Sequence, residues 1–126
     1  SAIEHMEVSA QKASLRECRT VAADRAILYL TCPVTQIGES GYDAQYAAHV
    51  YEPKEAELRE WLHDAGWSVK KVIELSTKCK HLRSVLSGSA LKQAESLLKI
   101  MPREQALPTI AALYPECALE VAMVCQ

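Results

Sequence analysis

Two apolar seams dominate the middle of the chain. Val72, Leu75, Cys79, Leu82 and Leu86 recur at spacings of three and four residues, and Leu91, Ala94, Leu98 and Met101 do the same. Ser87-Gly88-Ser89 separates them. Such spacings place side chains on one face of a helix. Two striped helices joined by a tight turn bury each other's apolar faces by folding back as an antiparallel hairpin. The pattern therefore predicts a helical hairpin over Val69 to Met101, with Ser68 as N-cap, Gly88 closing the first helix and Ser89 capping the second.

The rest of the chain extends this helical reading. Only four of the 126 residues are Gly, Phe is absent, and Val and Ile form no alternating runs. With 49% apolar residues the chain can bury a core, and its length suits one domain. Leu15, Cys18, Ala22, Ala26 and Tyr29 suggest a first helix from about Ser9 to Leu30, ended by Cys32-Pro33. Pro33 to Tyr42 reads as a loop, with a weak strand signal at Val34 to Ile37, and a short Ala-rich helix is expected over Asp43 to Val50. Pro53 fits the first position of a helix whose buried stripe is Leu58, Trp61, Leu62 and Ala65, with Gly66 as a left-handed stop. Pro102, Pro108 and Pro115 punctuate the tail into short helices near Arg103 to Ala106, Thr109 to Tyr114 and Glu116 to Cys125. The last is apolar on most sides, as buried helices are. The expected fold is all-α, a compact bundle of five to seven helices. Ser1 to His5 precede Met6 like an expression-tag remnant, so residues 6–126 are read as the single domain.

The net charge of −2 conceals a polarity. Glu39 to Asp64 carries seven acids and two bases, whereas Lys70 to Lys99 carries seven bases and two acids. Lys70, Lys71, Lys78, Lys80, Arg83, Lys92 and Lys99 could form a cationic strip along the hairpin and neutralise phosphates of a nucleic acid. The alternative is a solvated face, or one neutralised by the preceding acidic segment.

Catalytic signatures are absent. Gly38-Glu39-Ser40-Gly41 is neither a nucleophile elbow nor a phosphate loop, and no GxGxxG or HExxH occurs. His5, His49, His63 and His81 are scattered. The five cysteines (Cys18, Cys32, Cys79, Cys117 and Cys125) are odd in number, irregularly spaced and without a CxxC, which suits buried thiols in a reducing compartment. No metal, cofactor or enzymatic activity is expected.

Two resemblances follow from the hairpin residues. Val72-Ile73-Glu74-Leu75 followed by Lys80 to Leu86 resembles a DNA-binding helix-turn-helix. It departs from that motif where Thr77 and Lys78 replace the small turn residue. Ala90, Ala94, Leu97 and Pro102 match the second helix of a tetratricopeptide repeat, but Glu74, Lys78 and His81 fit its first helix badly and no copy follows.

The sequence thus points to a non-enzymatic regulatory module that contacts nucleic acid through its basic hairpin. The alternative is an adaptor or inhibitor docking a protein partner, or a homodimer. Its contacts would be the apolar C-terminal helix, with Leu119 and Met123, the acidic helix 52–64, or Trp67 as an anchor. No apolar run is long enough to span a membrane, and a cytoplasmic location is expected.

Overall fold

The computed structural model describes residues 2–35, 41–42 and 47–126. Among these the chain forms five α-helices and a three-stranded antiparallel sheet, so the all-α bundle expected from the sequence gives way to a mixed α/β fold. The order is α1 (Val8–Val21), β1 (Leu28–Pro33), α2 (Glu55–Asp64), β2 (Val69–Ser76), α3 (Cys79–Val85), α4 (Gly88–Ile100), α5 (Arg103–Leu113) and β3 (Glu120–Cys125). Single 3₁₀ turns occupy Ile3–His5 and Pro115–Cys117.

The last strand in sequence is the middle strand in space. β3 pairs with β1 on one side and β2 on the other. Its register sets Val121, Met123 and Cys125 against Cys32, Leu30 and Leu28 of β1, and against Glu74, Val72 and Val69 of β2. Val121, Met123 and Cys125 are fully buried. The expected helix over Glu116 to Cys125 is therefore a strand. A central strand reads as a continuous apolar run because both its faces are partly covered, which imitates a buried helix.

The first seam of the expected hairpin is also a strand. β2 carries register shifts between Val69 and Lys71 and between Glu74 and Ser76, so Lys70 and Leu75 are extra residues in the ladder. Each bulge adds one residue to a period of two. Inward-facing Val69 and Val72 thus stand three apart, which mimics helical spacing. Ser68 caps no helix: its N–H donates to the Gln126 oxygen (2.8 Å) and its own oxygen accepts the Gln126 N–H (2.9 Å). A helix-turn-helix is ruled out by the same finding, since Val72 to Leu75 are extended.

What survives of the hairpin is shorter. α3 and α4 meet through Leu82, Leu86 and Ala94, and Ile110 of α5 and Cys117 complete this second core. Ser87 stands at the α4 N-cap and Gly88 has φ +57°. The tail forms one helix, α5, that continues through Pro108.

The first helix ends at Val21, with Ala22 extended, and β1 replaces its expected last turns. Tyr29 and Leu30 are drawn into pairing with Val124 and Met123. α2 keeps its expected stripe and stop but begins at Glu55 with Lys54 as N-cap, so Pro53 and Glu52 precede the helix instead of opening it. Leu58, Trp61, Leu62 and Ala65 are buried, the Lys54 N–H donates to Glu57 Oε2 at 2.9 Å, and Gly66 takes φ +90° after the last turn. The expected helix over Asp43 to Val50 lies partly outside the described residues, and residues 47–50 are not helical. The expected strand at Val34 to Ile37 also lies partly outside them. Val34 donates its N–H to the Leu119 oxygen.

The main core lies on one side of the sheet. Leu15 of α1, Leu58, Trp61 and Leu62 of α2, and Ala111 of α5 pack with Cys32, Val121, Met123 and Cys125. Burying each large apolar side chain contributes roughly 1.5–3 kcal/mol. Ile3 belongs to this core, and the Glu4 main-chain oxygen accepts N–H groups from Val50 (2.7 Å) and Tyr51 (3.3 Å). Residues 2–5, set apart in the sequence reading, are packed with the rest.

Candidate nucleic-acid interface

Alternation along the strands sends every second residue to the side of the sheet away from the core. Two rows result. Tyr29 stands opposite Val124, which stands opposite Lys71; Thr31 stands opposite Ala122, which stands opposite Ile73. Tyr29 is 73% exposed and Ile73 38%. Thr31 and Lys71 are exposed, and Ala122 and Val124 are half-buried between them. Among the described residues, these two rows carry one aromatic ring, the apolar side chains of Ala122, Val124 and Ile73, and one ammonium group.

The spacing follows from sheet geometry. Adjacent strands lie about 4.8 Å apart, so Tyr29 and Lys71, two strands apart in one row, are separated by roughly 10 Å. The bulge places Lys70 at the exposed β2 edge beside Lys71. An extra residue and a lysine at an open edge also discourage unintended strand pairing.

The basic residues expected to line one hairpin are distributed over three elements. Lys70 and Lys71 lie on β2, Lys80 and Arg83 on α3, and Lys92 and Lys99 on α4. Lys78 is half-buried just before α3. Arg83 Nε lies 3.4 Å from Glu95 Oε1, so part of its charge is met from within. Lys71 is the expected cation that shares a sheet face with an exposed aromatic residue. The sequence reading missed Tyr29 as a surface residue because it placed that ring on the buried stripe of a helix.

The three expected partner contacts are interior. Trp67 is 3% exposed and its indole N–H donates to the Leu15 oxygen. Leu119 is 7% exposed and Met123 is fully buried. None offers its side chain to a partner in this structure. The acidic helix α2 keeps an outward face with Arg59, Glu60, His63 and Asp64. Arg59 donates to Glu55 Oε1 at 2.9 Å along it.

Three cysteines are buried and pushed away from thiolate chemistry. Burial raises Cys32 to about 12, with Glu4 and Glu52 adding to the effect. Burial likewise raises Cys117 to about 11 and shifts Cys125 upward.

No family model matches the chain, and no curated protein is significantly similar to it in sequence. Among the described residues, no helix is long and apolar enough to cross a membrane.

Proposed function

We propose that this chain is a non-enzymatic binding module that contacts single-stranded nucleic acid across its open sheet face. One observation carries the reading: exposed Tyr29 and exposed Lys71 occupy a single cross-strand row. A base stacks on the tyrosine ring, and the backbone phosphate is met by Lys71, with Lys70 at the edge. Aromatic platforms combined with cations are the usual means of holding a single strand without reading its sequence. A regulatory role in the cytoplasm fits this reading, supported by five cysteines that are all free thiols.

Fluorescence anisotropy with a labelled single-stranded oligonucleotide tests it. Binding at low ionic strength should weaken steeply as salt rises, with a log–log slope of about −0.7 per phosphate neutralised. Tyr29→Ala removes a stacking contact of about 1–3 kcal/mol, and Lys71→Ala lowers the salt slope by about one phosphate's share. Absence of binding at low salt, or binding unaffected by both substitutions, refutes the proposal.

A second reading rests on Ile73 and Tyr29, whose exposure would also suit a second copy of the chain docking face to face. Light scattering separates the two: a dimer that Ile73→Lys converts to monomer, without nucleic-acid binding, favours self-association.

A further inference from the structure

Glu4 and His5, adjacent in sequence, meet the distant His49, which brings one carboxylate and two imidazoles together. Their potential ligand atoms all lie within 4.8 Å of one another. His5 Nε2 is 3.7 Å and His49 Nε2 is 4.0 Å from Glu4 Oε1. These separations are too long for hydrogen bonds. Ligand atoms about 2.0–2.1 Å from a tetrahedral ion stand about 3.3 Å apart, so both imidazoles, at 3.7 and 4.0 Å, move slightly closer to the Glu4 carboxylate to share one.

The other nitrogen of each ring is already engaged. His5 Nδ1 lies 2.8 Å from the Ala48 main-chain oxygen, which can only accept, so Nδ1 is the donor. His49 Nδ1 lies 2.6 Å from Glu52 Oε1 and donates to that carboxylate. Both rings are therefore oriented through Nδ1, with Nε2 turned toward the carboxylate of Glu4. An imidazole whose second nitrogen donates to a carboxylate or carbonyl is the arrangement that orients metal-ligating histidines.

Hydrogen bonds tie the surrounding backbone together. The Glu4 oxygen accepts the Val50 and Tyr51 N–H groups. Gln11 Nε2 donates to the Tyr51 oxygen at 3.0 Å, and the Thr35 hydroxyl donates to the Glu52 oxygen at 2.8 Å. An independent observation points to a ligand. The Glu4 side chain is 3% exposed, and its Oε2 atom has no hydrogen-bond partner. A buried carboxylate oxygen without a partner is costly, and a cation held by the same group removes that cost.

We infer that Glu4, His5 and His49 form a binding site for a divalent transition-metal ion of the zinc type, with Glu52 and the Ala48 carbonyl orienting the two imidazoles. Two nitrogen donors and one carboxylate favour zinc, cobalt or nickel over magnesium and calcium, which prefer all-oxygen shells. Three protein ligands leave a coordination position open on the exposed His5 side, as in sites that admit a water or a further ligand.

The test uses the full chain, stripped with a chelator and titrated with zinc chloride and, separately, cobalt chloride. The expected result is one equivalent retained after dialysis, cobalt visible bands, and no displacement by excess magnesium. His5→Ala, at a half-exposed position, should weaken zinc binding by at least about tenfold with an unchanged circular-dichroism spectrum. Glu4→Gln and His49→Ala should do the same if they fold, and His5→Ala decides the matter if they do not. Cys18→Ser, which removes the exposed thiol, should leave binding intact. The inference is overturned if no zinc is retained, if His5→Ala binds as tightly as the parent, or if Cys18→Ser abolishes binding.

Discussion

The indole N–H of Trp67 donates to the main-chain oxygen of Leu15 over 3.1 Å, joining the turn before β2 to the middle of α1 across 52 residues. The guanidinium of Arg19 lies 5.1 Å from the centre of the same ring, and the Arg19 Nε–H donates to the Gly66 oxygen at 3.2 Å. One turn thus fixes how α1 and α2 sit over the sheet. Trp67→Phe keeps most of the buried area and removes the donor. It should lower stability by about 1–3 kcal/mol in urea unfolding, because the Trp67 site is interior. An unchanged midpoint would show that the bond contributes nothing.

A side chain at Gly66 should be strained through its backbone. Its φ of +90° lies where L residues are strained, and an added Cβ would stand 3.4 Å from Arg19 Cγ. Gly66→Ala should cost about 1–2 kcal/mol by the same measurement. Gly88, at φ +57° with open space around its Cβ position, should respond through backbone strain alone. A neutral Gly66→Ala would mean that the turn relaxes freely.

Met123 and Tyr29 distinguish the two faces of the sheet. Met123→Ala opens a cavity under the central strand and should cost about 2–5 kcal/mol. Tyr29→Ala, on the outer face, should change stability by no more than about 0.5 kcal/mol. Equal effects at the two positions would contradict the assigned register.

The alkaline limb of stability should report the Cys117 thiol. Burial raises it from 9.0 to about 11 in the folded chain. Its unfolded form therefore loses a proton first. The contribution is fully present below pH 9 and is lost as pH rises toward 11. Thermal melts of Cys117→Ala should start lower, because a small cavity is left, but fall less steeply than the parent between pH 9 and 11. Parallel slopes would remove Cys117 from that limb.

Much of the helical part was legible in sequence. α2 and its stop at Gly66 are local features, set by the Leu58, Trp61, Leu62 and Ala65 stripe and by one glycine conformation. The sheet was not legible, for a specific reason at each strand. Bulges at Lys70 and Leu75 turned a period of two into an apparent three-and-four seam. β3 looked apolar all round because it is the middle strand. β1 continued a helix-like spacing past Val21. The Glu4–His5–His49 cluster has no sequence signal of its own, since His49 lies 44 residues from His5 and the first five residues were set aside. Tyr29 and Lys71 become neighbours on a face only through the register of β3, which no local pattern encodes.

The most direct check is a backbone amide NMR titration of the chain with a short single-stranded oligonucleotide at low salt. Shift changes should concentrate on Tyr29, Thr31, Lys71, Ile73 and Val124. Changes confined to Lys80, Lys92 and Lys99 on α3 and α4, or no changes at all, would contradict binding across the open sheet.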